Sequence, residues 1–345
     1  MTAVGAVPGV EELRAIGLAA GLDAVGVTTA EPFLDARRVL EERKQAGLNA
    51  DMQFTYRNPA RSTDPSLALA GAQALVVGAR RYRYADPEAP TAAAGAVARY
   101  ARSDHYGALR AALGVVADAL RAEGWRARVL CDDNALVDRE AAHRAGLGWY
   151  GKNTNLLLPG QGSWFVLGSV VTDAPIEATS DPVADGCGSC TRCIDACPTA
   201  AIVAPGVIDA GRCLAWLVQT SGPFPMEYRE ALGGRLYGCD DCQDVCPPNR
   251  TADRRHPPDD APDDVAWVPL VDLLAAGDDE LLARHGRWYV AQRDPRWLRR
   301  NALVALGNIG DRGDPAVLGT LERYAAGDDE LLAEHARWAR EQLDR

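Results

Sequence analysis

The stretch Cys187-Gly188-Ser189-Cys190-Thr191-Arg192-Cys193-Ile194-Asp195-Ala196-Cys197-Pro198 decides the reading of this chain. Its spacing, C-x2-C-x2-C-x3-C-P, is that of bacterial two-cluster ferredoxins. Three thiolates at these intervals wrap one face of a cubane cluster. The fourth, held by the following proline, points away and ligates a neighbouring cluster. The run therefore predicts a second set of cysteines. Cys239-x2-Cys242-x3-Cys246-Pro247 supplies three members and Cys213 the fourth, leaving only Cys131 unused. The crossing rule assigns Cys187, Cys190, Cys193 and Cys246 to one [4Fe-4S] cluster, and Cys197, Cys213, Cys239 and Cys242 to the other. Structural zinc suits paired C-x2-C knuckles rather than a triple run ending in Cys-Pro. Disulfides need an oxidising compartment, and the N-terminus carries no basic leader.

Working outward, 345 residues suffice for two or three domains and a sizeable core. A net charge of −11 argues against a generally basic nucleic-acid binder but leaves room for a local basic face. No apolar run approaches a membrane span, and cytoplasmic residence is expected from reduced thiols and oxygen-sensitive clusters. Of 37 basic residues only Lys44 and Lys152 are lysines, which makes Lys152 unusual in a chain that otherwise chooses arginine.

Upstream of the cysteines, strand and helix patterns alternate. Residues 11–18 and Phe33 to Lys44 read as helices around a strand at Asp23 to Val27. Ala74 to Ala79, Ala127 to Cys131 and Trp164 to Val171 read as strands, with helices at Tyr106 to Ala122 and Leu136 to Ala145. The expected class is α+β: an N-terminal α/β domain over 1–178, a ferredoxin-like two-cluster domain over 179–252, and a helical domain over 265–345. Arg254 to Asp264, rich in Pro and Asp, reads as a linker. Neither a G-x-G-x-x-G fingerprint nor a Walker loop occurs.

The third segment contains a repeat. Gly277-Asp278-Asp279-Glu280-Leu281-Leu282-Ala283 recurs 50 residues later as Gly327-Asp328-Asp329-Glu330-Leu331-Leu332-Ala333, and both copies continue to a tryptophan, Trp288 and Trp338. Between them Asp294-Pro295 opens an alanine-rich helix pattern. Paired helices at such a period mark HEAT-type repeats. Arg284, Arg287, Arg293, Arg296, Arg299 and Arg300 crowd one repeat, as a solvated face or as a nucleic-acid contact.

Several segments together resemble the epoxyqueuosine reductase family: Arg144-Ala145-Gly146-Leu147-Gly148-Trp149-Tyr150-Gly151-Lys152-Asn153-Thr154, the cysteine framework, Tyr237-Gly238-Cys239-Asp240-Asp241-Cys242, and the repeat-bearing tail. The resemblance spans nearly the whole chain. It implies a cobalamin domain related to reductive dehalogenases, two [4Fe-4S] clusters, and reduction of the cyclopentane epoxide of epoxyqueuosine to queuosine in the tRNA anticodon loop. Aligned on the family segment V-D-S-x-P-x-x-E-R, Cys131-Asp132-Asp133-Asn134-Ala135-Leu136-Val137-Asp138-Arg139 puts Asp132 at the catalytic acid, with Asp133 as the fallback. Here Asp138-Arg139 replaces Glu-Arg and Ala135 the proline. The alternative role for Asp132 is an N-cap of the following helix. The resemblance further implies cofactor contacts at Arg57, Tyr100, Lys152, Asn153, Asn155, Ser169, Cys239 and Asp240.

An epoxide expelled as water needs two electrons and protons, so a carboxylic acid must stay protonated near neutral pH. None of His105, His143, His256, His285 and His335 sits in a D-x-H-x-x-G context, so cobalamin is expected base-off, without a protein imidazole beneath cobalt. The partners implied are tRNA and an external donor such as a ferredoxin or flavodoxin, with no membrane and a monomeric chain. Two rivals remain: a cobalamin-dependent reductase or dehalogenase of a small molecule, and a ferredoxin-like electron carrier.

Overall fold

Valine- and alanine-rich runs become strands because both of their faces are buried, so no polar alternation interrupts them. The computed structural model describes residues 5–82, 86–90, 93–178, 183–255 and 265–345. In it, α1 (Val10–Ala19), β1 (Ala24–Thr29), α2 (Leu34–Gln45), α3 (Pro59–Ser62) and β2 (Ala74–Arg81) are followed by β3 (Ala94–Val97), α4 (Arg99–Arg102) and α5 (His105–Ala122). Next come β4 (Ala127–Cys131), α6 (Asp138–Arg144), the hairpin β5 (Trp149–Tyr150) and β6 (Leu156–Leu157), and β7 (Phe165–Thr172). Strands β1, β2, β7 and β4 pair in that order, and every pairing is antiparallel. This corrects the expected α/β domain: the segment is itself α+β. Strand–helix alternation does not specify direction, and Ala74 opens β2 directly opposite Thr29, where β1 ends.

One sheet face packs Val25, Val76 and Val170 against Leu13 of α1 and Leu109, Leu113 and Val116 of α5. The other packs Leu75, Val77, Leu130 and Val171 against Phe33, the Ala141–Ala142 face of α6, and Leu156. The period-two alternation of β2 and β7 thus divides into two cores.

The cysteine-bearing stretch is built from short pieces: α7 (Arg192–Asp195), the hairpin β8 (Ile202–Ala204) and β9 (Val207–Ile208), α8 (Leu214–Leu217), α9 (Arg229–Leu232), β10 (Arg235–Tyr237), α10 (Asp241–Asp244) and α11 (Pro247–Arg255). Because α11 reaches Arg255, the expected linker begins inside a helix. Its remainder, with His256, lies outside the described residues. The C-terminal segment holds β11 (Trp267–Pro269), α12 (Leu270–Ala275), α13 (Asp278–His285), α14 (Arg296–Ile309), α15 (Pro315–Ala325) and α16 (Glu330–Leu343). The two repeat copies fall in α13 and α16.

A second sheet, ordered β10-β3-β11, takes one strand from each of the three segments. Beside it a single core joins Leu214, Leu217 and Leu236 to Leu303, Leu306, Leu321 and Ala336. The arginine crowd belongs to this packing. Arg300 is fully buried and donates to the carbonyls of Leu217, Thr220 and Gly222 at 2.7–2.8 Å. Arg299 pairs with Asp278 at 2.5 Å and Arg296 with Asp329 at 2.6 Å, while Arg287 donates to the Ala101 and Arg102 carbonyls. The expected solvated or nucleic-acid face is therefore largely consumed. Sequence proximity on one repeat hid partners that come from distant elements.

Candidate active site

Strand β4 ends at Cys131, whose carbonyl accepts from Arg110 Nη2 of α5 at 3.1 Å. The next residue, Asp132, has φ +52, a left-handed turn that aspartate tolerates better than most residues. That turn swings the chain off the sheet and leaves the Asp132 side chain exposed. Enough protein surrounds it that desolvation raises its carboxyl pKa, countered by Arg110 and reinforced by Asp133. The neighbouring aspartates have separate jobs. Asp133 Oδ1 accepts from the Ala135 amide at 2.9 Å, closing a local turn. No such cap is formed by Asp132, and the residue flanking α6, Val137, makes no side-chain cap. Asp138, at the start of α6, lies deeper: burial first, then Asp132, hold its carboxyl far above the usual range, and its Oδ1 has no hydrogen-bond partner.

The acid loop is sewn to a second loop. Ser62 Oγ donates to the Asn134 carbonyl at 2.6 Å, and the Val137 amide donates to the Ser62 carbonyl at 3.0 Å. Ser62 closes α3, which follows the exposed Arg57, so these two hydrogen bonds tie the Arg57 loop to the Asp132 loop.

A wall of tyrosines is centred on Tyr100 and Tyr237, whose ring centroids lie 6.4 Å apart. Tyr82, Tyr100, Tyr106 and Tyr237 all have phenol pKa values raised, chiefly by burial. The Asp132 charge helps raise both Tyr106, in α5, and Tyr237, in β10. Gly238 follows β10 with φ +79, and an added Cβ there would meet Ala98 Cβ at 2.4 Å, with Tyr100 close by. This close approach brings Asp240 onto α4, where its Oδ2 accepts from the Arg99 amide at 2.7 Å. Burial raises the Asp240 carboxyl to about 6, against the Arg99 amide, which lowers it.

The eight cysteines are free thiols of intermediate exposure. Cys246 is raised to about 11 by burial and then by Cys187, Cys193 and Cys190. Cys193 is raised by burial and then by Cys187 and Cys190. In the other group burial dominates again: Cys213 also feels Cys197, Cys239 feels Cys213, and Cys242 feels Cys239 and Cys213. One link, from Cys242 to Cys193, joins the groups. The second group adjoins the tyrosine wall, since Cys239 follows Gly238, which packs against Ala98 and Tyr100. Soft thiolates in fours are the donor set of an iron–sulfur cluster.

The other residues named from sequence are spread around this centre. Lys152 Nζ donates to the Gly188 carbonyl and Asn153 Nδ2 to the Cys242 carbonyl, so both side chains face the cysteine loops. The Asn155 amide donates to Asn153 Oδ1. Ser169 sits in β7 between Val77 and Leu130, fully buried, with no partner for its hydroxyl. Sequence reading did not single out Tyr237, Arg110 or Arg139. Arg139 donates to the Thr154 carbonyl at 3.0 Å, and its charge reaches Tyr82, Asp138 and Cys213. The signal for Tyr237 was its place two residues before Cys239; Arg110 is one of many arginines and gave none.

Among the described residues no helix is long and apolar enough to cross a membrane. Residues 186–249 match the family model for a 4Fe-4S double cluster binding domain. The epoxyqueuosine reductase of Bacillus subtilis is 36% identical over 311 residues, 87% of this chain and 79% of that protein. That of Bacillus anthracis is 33% identical, covering 88% and 81%. An epoxyqueuosine reductase crystallised with an epoxyqueuosine-modified tRNA-Tyr stem loop superposes with a TM-score of 0.87 at 33% identity, over 97% of this chain and 90% of that one. A Bacillus subtilis structure whose aspartate-bearing catalytic loop is swung out of the active site superposes at 0.86, with 32% identity over 96% and 90%. With identity above 30% over 87–88% of this chain and 79–81% of those relatives, this chain belongs to the epoxyqueuosine reductase family of oxidoreductases.

Proposed function

We propose that the protein reduces epoxyqueuosine to queuosine at the wobble position of tRNA, with cobalamin and two [4Fe-4S] clusters as resident groups. The observation that carries this reading is the full-length likeness to epoxyqueuosine reductases, with Asp132 at the end of β4 and the cysteine-bearing stretch matching a double-cluster domain. When bound, the clusters relay single electrons and the corrin cobalt pairs them for epoxide opening. Everything else falls to this chain. Asp132 is assigned as proton donor to the leaving oxygen, and desolvation shifts its carboxyl upward, the direction this role requires. Arg110 pins the strand end that aims it. The tyrosine wall supplies flat, largely apolar surface for a planar ligand. Buried Ser103 Oγ and Ser169 Oγ lack partners and fit a ligand rich in amides. We assign further cofactor contacts to Arg57, Tyr100, Asn155, Cys239 and Asp240, with Lys152 and Asn153 acting through the turn they hold. The described histidines are engaged elsewhere: His105 on the Arg99 carbonyl, His143 on the Gly148 carbonyl, His335 on the Phe224 amide, and His285 stacked on Trp288. This supports a cobalt lower face without a protein imidazole.

The same reading makes 187, 190, 193 and 246 the outer cluster, an external donor its electron source, and the C-terminal segment a HEAT-like buttress. A tRNA substrate places the reaction in the cytoplasm. The test is anaerobic turnover of epoxyqueuosine-containing tRNA. Asp132→Asn should bind cobalamin and tRNA yet lose turnover by about 10²–10⁴, the usual range for general acid catalysis. Asp133→Asn should lose far less, since its carboxylate serves a turn. Near-normal turnover in Asp132→Asn would sink the assignment. Turnover of a small halogenated substrate but not of tRNA would favour the dehalogenase reading, and absence of corrin absorption bands the electron carrier.

A further inference from the structure

The turn Gly151–Asn155, which accepts from Arg139 at the end of the acid segment, touches the cysteine-bearing stretch three times. Lys152 Nζ donates to the Gly188 carbonyl at 2.7 Å. The Lys152 carbonyl accepts from the Gly206 amide at 2.9 Å. Asn153 Nδ2 donates to the Cys242 carbonyl at 3.2 Å. The turn is stiff enough to transmit these contacts. Its Gly151 amide donates to the Asn155 carbonyl at 2.8 Å and its Thr154 amide to the Gly151 carbonyl at 2.9 Å. Thr154 is held at φ +66, and the flanking residues Trp149, Leu156 and Leu157 are buried in the β5–β6 hairpin. Gly188 stands between Cys187 and Cys190 with φ +50, so its carbonyl belongs to the tight loop carrying two sulfurs of the outer group.

One element thus grips a loop of each cysteine group, but only one grip carries a charge. Asn153 anchors Cys242 through a neutral amide, while Lys152 brings an ammonium to the residue next to Cys187. In a chain with only two lysines, the compact ammonium stands where a broader guanidinium would be the chain's usual choice. We infer that Lys152 is a positioning residue that sets the reduction potential of the outer cluster, that of Cys187, Cys190, Cys193 and Cys246, a reading that rests on the two-cluster assignment above. A reduced cluster is one unit more negative than its oxidised form. A fixed cation beside it stabilises the reduced form and raises its potential, and Lys152 is a cation held on the outer loop alone, whereas Arg235 and Arg139 act on the inner cysteines.

The experiment is a potentiometric titration, followed by EPR, of the anaerobically reconstituted full chain as wild type, Lys152→Met and Lys152→Arg. Iron is measured in each. All three should carry about eight irons, the sum of two cubanes. In Lys152→Met one of the two reduction waves should move to lower potential by about tenfold in its equilibrium constant, about 59 mV for one electron. Lys152→Arg, which keeps the charge, should stay close to wild type. Both waves unmoved in Lys152→Met, or both moved equally, overturns the proposal. Iron loss confined to Lys152→Met also overturns it, showing a mechanical clasp instead. Fewer than eight irons in the wild type would overturn the two-cluster reading itself, so the two failures are separable.

Discussion

Helices α7, α8, α9 and α10 of the cysteine-bearing stretch are each four residues long, whereas α14 and α16 of the C-terminal segment each run to 14. A four-residue helix barely repays its nucleation, and α7 buries none of its residues. Such pieces need an external organiser, and the grouped sulfurs are where we place it. By contrast α14 buries ten residues and stands on its own packing. The contrast does not make the two regions independent. Arg300 and Asn301 of α14 donate to the carbonyls of Leu217, Val218, Thr220 and Gly222, the stretch that follows α8 and therefore Cys213. The self-sufficient region fastens the one that is not. Truncation of the tail should therefore disturb the cysteine loops, contrary to a picture of a detachable arm.

The sharpest way to break this arrangement is Arg300→Glu. It would bring a carboxylate against three buried carbonyls, and no soluble folded protein should be recovered. Arg300→Met, which is apolar and similar in reach, leaves those carbonyls unpaired and should lower stability by about 3 kcal/mol or more in thermal melts followed by circular dichroism. A variant as stable as wild type would show that the clamp contributes nothing.

Cys213→Ala should act on the other partner alone. Iron should fall from about eight to about four per chain on reconstitution, while the C-terminal helices keep their circular dichroism. Unchanged iron would remove Cys213 from the ligand set.

A smaller effect separates the regions by pH. His335 on α16 is fully buried; its Nδ1 donates to the Leu331 carbonyl at 2.7 Å, and its Nε2 accepts from the Phe224 amide at 3.0 Å. Burial, then the Arg229 and Arg300 charges, lower its pKa to about 4, although the Leu331 carbonyl and Glu334 pull the other way. The unfolded chain takes up this proton near pH 6.5 and the folded one does not. Its contribution is therefore full above pH 6.5 and is lost as pH falls toward 4. The melting temperature should drop across that window, and His335→Gln should flatten the drop. Equal slopes in both proteins would refute it. Least of all should come from Arg284→Glu, an exposed residue of α13 whose partner is Glu280 on the same helix. A change within about 0.5 kcal/mol is expected in the same melts.

Much of the molecule is legible along the chain because its signals are local. Cysteine spacing is a covalent pattern, and the strand Ala127–Cys131 and helix His105–Ala122 follow from side-chain periodicity over neighbouring residues. The same locality placed Asp132 at a strand end. Only the tertiary structure decided what depends on residues far apart in sequence. It set the direction of the main-sheet strands, because a helix–strand alternation serves either direction. It separated Asp132 from Asp133, because one carboxylate closes its own turn while the other, on a left-handed residue at the strand end, stands exposed. It turned Arg296, Arg299 and Arg300 inward, because their partners are carbonyls and carboxylates drawn from elsewhere in the fold. And it set Lys152 on Gly188, a contact spanning 36 residues that no spacing rule encodes, since hydrogen bonds between distant loops exist only once the cores beneath them have formed.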